Sequence, residues 1–550
     1  MSKMTLRLLL FAALIPFHSA VAQWTTDSTS NTAVCQTSGD QMYPQIVSDG
    51  AGGAIIVWED GRGSSPHIYA QRLDVSGNAR WGTNGTIVCG ADNALQPQII
   101  SDGSGGAIIT WFDRRAGWPN ADVYVQRLNP DGDTLWKANG VQLSKAANSW
   151  AYPRIAGDGD GGALVTWIGD TDSIFVQKIN SSGEQQWTDG GVNAGPGGNE
   201  PKIISDNAGG AIVVYYRYDP DANSTTDIYS RRVTAGGVAT GLSTGDTVCY
   251  APDYQSHPDL APDGNGGAFV TWIDSRNGSY NNVYAQRIIP GGGYLWARNG
   301  IPVSTMKAAY RAMVVNDGAG GAILTWINYD NSQVNAQRIN GLGELQWPED
   351  VRVEPAANGG YPKFLPDGSG GAVFIIEPDA GEGLRAQRLL SDGNVAFQSG
   401  RTVAWGPYMK TRPVFTYDGQ GGTIVAWEDY RHYNADIYAQ RIGLGLPTQG
   451  VGSGTAEHAL PEKFRLDQNY PNPFNPATLI RYSIPVGAYN HTSLRVYDLL
   501  GREVAVLVNE RQSPGTYEVR FDGSGLASGV YLCRLTAGSH TETMRMALVK

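Results

Sequence analysis

Four Asp–Arg pairs are the residues of this chain whose types and spacing most suggest chemistry. Each pair follows a tryptophan in the pattern Trp-x-Asp-x-Arg. A carboxylate and a guanidinium at this spacing either hold one another, or orient a polar ligand through charge-assisted hydrogen bonds. Both a loop-holding role and a binding role therefore stay open. The four pairs are Asp60/Arg62, Asp113/Arg115, Asp274/Arg276 and Asp429/Arg431.

Aromatic residues accompany two of these pairs. Trp118 follows the second pair, and Tyr430, His432 and Tyr433 surround the last one. Aromatic rings offer a flat apolar surface on which an extended polar ligand such as a glycan can stack. The binding hypothesis therefore predicts a glycan-type site, and it names a particular set of residues. That set is Asp60, Arg62, Asp113, Arg115, Trp118, Asp429, Tyr430 and Arg431.

The rest of the chain contains no obvious catalytic or metal-binding pattern. No nucleophile–base pair or isolated acid pair stands out. Asp131-Gly132-Asp133 and Asp158-Gly159-Asp160 do not continue into a calcium-binding loop, and no zinc spacing or phosphate-binding glycine loop occurs. The sequence therefore predicts no metal, no cofactor and no catalytic residues. It leaves the question of enzymatic activity open, with a non-enzyme preferred.

A block of residues that recurs eight times carries the Asp–Arg pairs. The block begins as Pro44 to Trp58, continues as Ile68 to Leu73, and repeats about every 53 residues. An Asp-Gly turn, or a close variant of it, marks each copy, and such turns favour tight hairpins. The turn aspartates are Asp49, Asp102, Asp158, Asp206, Asp263, Asp317, Asp367 and Asp418.

Each copy divides into four strand-like segments, which predicts an eight-bladed β-propeller. The second segment, such as 53–58, is continuously apolar and so is expected to be buried on both faces. Trp24 to Cys35 resembles Trp81 to Cys89, the fourth segment of the first copy, whereas the eighth copy lacks its own. We therefore expect residues 24–40 to complete the last blade and close the ring.

Two other recurring features have a structural interpretation. The arginine of Tyr-Ala-Gln-Arg, as at Arg72 or Arg441, returns in most copies and is predicted to build the blade. Cys35, Cys89 and Cys249 occupy equivalent positions of separate copies. Equivalent positions of separate blades are too far apart for a bridge, so these thiols are predicted to be free and buried.

The last 90 residues have a different pattern of short strands and turns. Asn469 to Pro476 reads Asn-Tyr-Pro-Asn-Pro-Phe-Asn-Pro, Val496-Tyr497-Asp498 precedes Gly501-Arg502, and Leu526 to Tyr531 reads Leu-Ala-Ser-Gly-Val-Tyr. Leu494 to Val504 is predicted to form a hairpin that turns near Gly501. About seven short strands predict a small immunoglobulin-like β-sandwich. The motifs resemble the C-terminal sorting domain of bacterial type IX secretion cargo. The resemblance implies passage across the outer membrane by the secretion and sorting machinery, followed by surface attachment or release.

Composition and charge agree with an exported all-β protein. The net charge is −11 and no Lys/Arg cluster occurs, which argues against nucleic acid as a partner. Lys3, Arg7, an apolar run and Ala20-Val21-Ala22 predict a signal peptide, and no segment predicts a transmembrane helix. The predicted domains are a signal peptide at 1–22, the propeller at 23–442, a linker at 443–461 and the sorting domain at 462–550.

These observations predict a function outside the cell. The primary hypothesis is non-catalytic binding or display at the bacterial cell surface, or in the extracellular space after export through the periplasm, with a glycan or protein ligand. The alternative is a secreted propeller glycoside hydrolase or lyase that acts on polysaccharide. An unrepeated acidic residue in the central channel would favour the enzyme, whereas a wide rim of exposed aromatic residues would favour binding.

Overall fold

Continuous apolar segments make the second strands of the repeats. In seven of the eight repeats this strand is buried along its whole length, as in Ala54–Asp60 and Ala107–Asp113, and in the fourth repeat the end of the strand is exposed at Tyr218. The computed structural model is all-β, with a 3₁₀ turn at Asp170–Asp172. It describes residues 24–25, 27–117, 120–144, 152–219, 225–278, 280–304, 308–355, 363–377, 383–446, 464–469, 471–484, 490–512, 515–538 and 540–550. The predicted signal peptide and most of the predicted linker lie outside these residues.

The repeats form antiparallel sheets, one for each copy, which we number 1 to 8 in chain order. Sheet 1 contains β2–β5, sheet 2 β6–β9, sheet 3 β10–β13 and sheet 4 β14–β18. Their strands are β2 (Gln41–Ser48), β3 (Ala54–Asp60), β4 (His67–Leu73), β5 (Thr86–Cys89), β6 (Ala94–Ser101), β7 (Ala107–Asp113), β8 (Asp122–Leu128), β9 (Val141–Gln142), β10 (Arg154–Gly157), β11 (Ala163–Ile168), β12 (Ile174–Ile179), β13 (Val192–Gly195), β14 (Gly198–Ser205), β15 (Ala211–Asp219), β16 (Thr225–Val233), β17 (Ala239–Thr240) and β18 (Asp246–Cys249).

Sheets 5 to 8 repeat the same order. Sheet 5 contains β19–β22, sheet 6 β23–β26, sheet 7 β27–β30, and sheet 8 β31–β33 together with the first strand, β1. Their strands are β19 (Gln255–Pro262), β20 (Ala268–Asp274), β21 (Asn282–Ile288), β22 (Ile301–Pro302), β23 (Ala309–Asn316), β24 (Ala322–Asn328), β25 (Gln333–Ile339), β26 (Val351–Pro355), β27 (Lys363–Pro366), β28 (Ala372–Ile376), β29 (Leu384–Leu389), β30 (Arg401–Ala404), β31 (Lys410–Tyr417), β32 (Gly422–Asp429), β33 (Asp436–Gly443) and β1 (Thr32–Cys35).

The first strand of the chain completes the last sheet, as the sequence predicts. β1 pairs antiparallel with β33, in the register Thr32 to Ala439. Trp24 donates its indole N–H to the carbonyl of Val75 at 3.0 Å, just as Trp81 donates to the carbonyl of Pro130. The N-terminal segment therefore makes the contacts that a fourth strand makes in the other copies.

The core consists of apolar layers between neighbouring sheets. One layer joins sheets 1 and 2, and another joins sheets 8 and 1 through Trp24, Val34 and Cys35. The first strand of each sheet contacts the first strand of the next, and β31 of sheet 8 contacts β2 of sheet 1. The inner strands therefore surround a common central space.

The turn aspartates and the repeated arginines connect successive sheets, which confirms the structural interpretation of both. Asp49 Oδ1 accepts backbone N–H groups of Ala51 and Gly53 at 2.8 Å, while its Oδ2 accepts from Arg72 Nε at 2.9 Å. Arg72 also donates to the carbonyl of Pro130 in the next sheet. The same arrangement ties Arg127 to Asp102 and the carbonyl of Ser181.

The C-terminal region forms two further sheets around its own apolar core. The hairpin of β36 and β37 turns at 498–502, as the sequence predicts. One sheet has the order β34-β35-β38 and the other β37-β36-β39-β40. The strands are β34 (Arg465–Leu466), β35 (Ala477–Ile484), β36 (Asn490–Tyr497), β37 (Glu503–Gln512), β38 (Gly515–Asp522), β39 (Gly529–Ala537) and β40 (His540–Leu548).

Candidate functional site

The Asp–Arg pairs form a buried network inside each sheet that has one. Asp60 is fully buried; its Oδ2 accepts from Trp58 Nε1 at 2.7 Å and from Arg62 Nη2 at 2.6 Å. Its Oδ1 accepts from the backbone N–H and Nε of Arg62. The Arg62 guanidinium lies 3.8 Å above the ring of Tyr69 and donates to the carbonyl of Asn84. Both groups therefore already have partners within the protein.

The other three pairs repeat this geometry. Asp113, Asp274 and Asp429 each accept from an indole N–H and from the arginine two residues later. In the last sheet Arg431 donates to Asn31 Oδ1 instead of a backbone carbonyl. The structure thus assigns the pairs a loop-holding contact, and Trp118, the aromatic residue predicted beside Arg115, lies outside the described residues.

The three repeated cysteines belong to the same networks. Cys35, Cys89 and Cys249 are free and buried, as predicted. Arg62 Nη2 lies 3.3 Å from Cys35 Sγ. Burial raises the pKa of Cys35 to about 12, so this thiol stays protonated at neutral pH and is a poor nucleophile.

Exposed aromatic side chains distinguish the two ends of the sheets. One end, which we call the turn face, carries the Asp-Gly turns and the connections from third to fourth strands. The other end, the aromatic face, carries the connections from second to third strands and from each sheet to the next. In the described part of residues 24–446, the exposed large aromatics all lie on the aromatic face. They are Tyr152, Tyr218, Tyr250, Tyr254, Tyr280, Tyr329, Trp405, Tyr408 and Tyr433.

Large exposed side chains on the turn face are aliphatic instead, such as Val238 and Leu242. The Asp–Arg pairs end second strands, so they too lie on the aromatic face. Tyr433 is 97% exposed in the loop that Arg431 begins. In sheets 5 and 8 the pair therefore positions a loop that presents an exposed ring, Tyr280 and Tyr433 respectively.

A set of left-handed residues lies where the first strands begin, on the aromatic face. A non-glycine residue rarely has a positive φ, and a residue before proline favours extended backbone. Here the position before the first-strand proline, or before Ala312 in sheet 6, has a φ between 42° and 55° wherever it is described. These residues are Tyr43, Gln96, Tyr152, Glu200, His257, Arg311 and Arg412. The same strained backbone thus carries a different side chain in almost every sheet.

Three glutamates stabilise this backbone in consecutive sheets. The bulge at the left-handed residue frees its backbone N–H, and a buried N–H requires an acceptor. Glu428 Oε1 accepts from Tyr43 N at 2.7 Å, Glu59 Oε2 from Gln96 N at 3.1 Å, and Glu377 Oε1 from Arg412 N at 2.6 Å. Each glutamate thereby connects its sheet to the next one.

The role of these glutamates was not predicted from the sequence. They follow the tryptophan position of the second strand in copies one, seven and eight, where the other copies have Phe112, Ile168, Tyr216, Ile273 and Ile327. A glutamate in an otherwise apolar strand, present in only three of the eight copies, is the sequence feature from which a special role could have been predicted.

Glu59 and Glu428 have different electrostatic environments. Burial, together with the charge of Glu428, raises the pKa of Glu59 to about 7. Glu428 is fully buried, and its Oε2 accepts from Arg412 Nη1 at 2.8 Å and from the Tyr430 hydroxyl at 3.3 Å. Tyr430, one of the predicted binding residues, thus lies beside the ring of left-handed residues.

We predict that Glu59→Gln changes the pH dependence of stability. Because the folded-state pKa of Glu59 is about 7 against an ordinary 4.5, the unfolded chain releases this proton first as pH rises. Stability of the native protein is therefore expected to fall between these pH values by about 3 kcal/mol relative to the variant. Urea unfolding at several pH values measures this difference. If the free energies of unfolding of the two proteins changed with pH in the same way, the buried environment assigned to Glu59 would be wrong.

Residues 468–550 match the family model described as secretion system C-terminal sorting domain. This confirms the resemblance found in the sequence, and it indicates export by the type IX route to the cell surface or extracellular space. Among the described residues, no helix has the length and apolar character needed to cross a bilayer. The chain is an exported all-β protein with a type IX sorting tail.

Other similarities are partial. Peptidase T from Vibrio atlanticus is 30% identical over 116 residues, which are 21% of this chain, and the chain spans 27% of that relative. Prolyl oligopeptidase B from Galerina marginata has a TM-score of 0.41 and 13% identity, covering 71% of this chain and 56% of that one. PorZ, a surface component of the type IX secretion system of Porphyromonas gingivalis, has a TM-score of 0.31 and 14% identity, covering 90% and 64%. Penicillium chrysogenum α-L-arabinanase has a TM-score of 0.34 and 12% identity, covering 76% and 98%.

Proposed function

We propose that the protein is an exported eight-bladed β-propeller whose aromatic face binds an extracellular glycan without transforming it. In this proposal the sorting tail is an immunoglobulin-like sandwich that directs display or release, and residues 1–22 are the signal peptide. The eight sheets in chain order, and the pairing of β1 with β33, support a closed ring. Closure removes the sheet edges that an open array would expose.

The proposed binding role is supported mainly by the location of the exposed aromatic residues, which lie on one face of the described repeat region. Exposed aromatic rings are not needed for stability, and rings gathered on one face are typical of ligand surfaces. Near the ring entrance, Tyr216 stacks on His257 with 6.1 Å between the ring centroids. The centroid of the Tyr310 ring lies 6.2 Å from that of His257. These three rings cross sheets 4, 5 and 6, and provide a surface on which successive sugars can stack.

The predicted site residues have two roles in this proposal. Asp60, Arg62, Asp113, Arg115, Asp429 and Arg431 hold the loops of sheets 1, 2 and 8, because their polar groups are already paired. Tyr430, together with Trp118, would contact the ligand. Sheets 8, 1 and 2 follow one another around the ring, so their loops are neighbours.

A polysaccharide array with the intact protein tests the proposal. We expect retention on at least one immobilised glycan, with no hydrolysis product in the same wells. Trp118→Ala/Tyr430→Ala is expected to weaken binding about thirtyfold, since stacked aromatic contacts contribute roughly 1 kcal/mol each. The melting temperature serves as the control for folding. Unchanged binding by the double variant would remove these two residues from the site.

A polysaccharide-cleaving enzyme is the second candidate, and the two glutamates favour it. Glu59, whose pKa burial raises, together with the arginine-paired Glu428, resembles the pair of carboxyl groups that glycoside hydrolysis uses. Against it, both carboxylates accept backbone N–H groups, and their exposed fractions are only 6% and 0%. Product formation that Glu59→Gln abolishes would establish the enzyme.

A further inference from the structure

Three cationic residues lie on the first strands that surround the central space. Arg154 lies on β10 of sheet 3, Lys202 on β14 of sheet 4 and Lys363 on β27 of sheet 7. Each follows the first-strand proline of its copy. The charges of Lys202 and Arg154 lower the pKa of Lys363, although sheet 7 is not adjacent to sheet 3 or 4. Because the first strands surround one central space, the three residues occupy equivalent positions around it, and the effect of their charges on Lys363 agrees with this placement.

In the part of the chain that the structure describes, one carboxylate contacts this cluster, and it pairs with Lys202 alone. Asp259 Oδ1 accepts from Lys202 Nζ at 3.1 Å, and its Oδ2 accepts from the backbone N–H of Val314 at 3.1 Å. Arg154 Nη1 donates to the carbonyl of Pro153. Within the described ranges, no carboxylate lies within 4.0 Å of Arg154 or Lys363.

Two further acids act on the cluster from a distance. Glu200 attracts the charge of Arg154, and Glu377 attracts that of Lys363. Glu377 already accepts from the backbone N–H of Arg412, and neither acid forms an ion pair with the two cations in the described part of the chain. Arg154 and Lys363 thus retain hydrogen-bond donors that a ligand can use.

Lys363 is both accessible and enclosed. Its side chain is exposed to solvent, yet burial is the largest cause that lowers its pKa. A side chain that water reaches, but that protein surrounds, lies in a solvent-accessible recess, which here is the central space between the first strands. A cation in such a place is poorly solvated, so an entering anion gains more than it would at an open surface.

We propose that Arg154 and Lys363 bind the anionic group of an acidic polysaccharide that enters the channel from the aromatic face. This inference rests on the proposed glycan-binding function and specifies its ligand. The planar guanidinium of Arg154 suits two-point recognition of a uronate carboxylate or a sulfate ester, while Lys363 supplies a point charge. Tyr216, His257 and Tyr310 lie on sheets 4 to 6, next to the cluster, and offer stacking surface for the sugar rings.

Paired polymers that differ only in charge test this inference on the intact protein. The pairs are polygalacturonate with its methyl-esterified form, and dextran sulfate with dextran; polyglutamate is an additional arm. We expect one charged glycan to bind about tenfold more tightly than its neutral partner, and added salt to reduce the difference. The pair that responds identifies the anion as carboxylate or sulfate.

Lys363→Gln and Arg154→Gln are each expected to remove most of that preference. Lys137→Gln is the matched control, because Lys137 is an exposed lysine in a third-to-fourth-strand connection on the turn face. An unchanged preference in both channel variants would overturn the assignment of residues. Equal binding of charged and neutral glycans would overturn the anionic ligand while leaving the proposed function intact. Binding to polyglutamate alone, or to no polymer at all, would overturn both.

Discussion

Deleting residues 24–36 is expected to destabilise the repeat region by about 5 kcal/mol or more, since burying each large apolar side chain contributes roughly 1.5–3 kcal/mol. The deletion removes Trp24, Val34 and Cys35 from the layer between sheets 8 and 1. It also uncovers β33, whose free edge could pair with other chains. Thermal unfolding of the intact and shortened proteins measures the loss, and light scattering measures association.

A synthetic peptide of residues 24–40 provides the control. Because β1 joins sheet 8 by strand pairing, the added peptide is expected to restore much of the melting temperature. A scrambled peptide of the same composition is expected to have no effect. A deletion variant as stable as the intact protein would show that β1 does not close the ring.

Arg287→Ala is expected to cost about 3–5 kcal/mol, because it leaves a buried carboxylate without its partner. Arg287 donates to Asp263 Oδ2 at 3.0 Å and to the carbonyl of Gly341 in sheet 6. The side chains of Arg287 and Asp263 are only 4% and 0% exposed. The variant therefore loses both the buried ion pair and a connection between sheets 5 and 6.

Arg80→Ala is the matched control for this loss. Arg80 lies 3.8 Å from Asp74, but its side chain is 59% exposed. An exposed pair of this kind contributes about 0–1 kcal/mol, so urea unfolding should separate the two variants clearly. Similar stabilities for Arg287→Ala and Arg80→Ala would contradict the stabilising role assigned to the buried pairs of turn aspartate and repeated arginine.

The repeat made much of the fold predictable from the sequence. Asp-Gly turns and continuously apolar segments recur at equivalent positions. A strand that is unclear in one copy can therefore be predicted from the other copies. The likeness between Trp24 to Cys35 and Trp81 to Cys89 predicted the pairing that completes sheet 8. In the tail, Asp498 and Gly501 marked the hairpin that the structure contains.

The site was harder to predict because its informative residues break the repeat. Trp-x-Asp-x-Arg was a candidate binding motif because it is charged and recurs. The structure shows that the aspartate of the motif accepts from the tryptophan indole and from the arginine, so the motif recurs because it holds the loop. The left-handed residues escaped notice, since a residue before proline is expected to be extended. Glu59, Glu377 and Glu428 were missed because their partners are backbone N–H groups of a different copy.

A comparison of two double variants, one on each face, tests directly whether the aromatic face binds the glycan. Tyr408→Ala/Tyr433→Ala removes exposed rings from the aromatic face, whereas Val238→Ala/Leu242→Ala removes exposed apolar side chains from the turn face. Both are measured on the array polysaccharide that the native protein retains most strongly. We expect weaker retention for the first variant and native retention for the second. Native retention by the first variant, or loss by the second alone, would contradict this expectation.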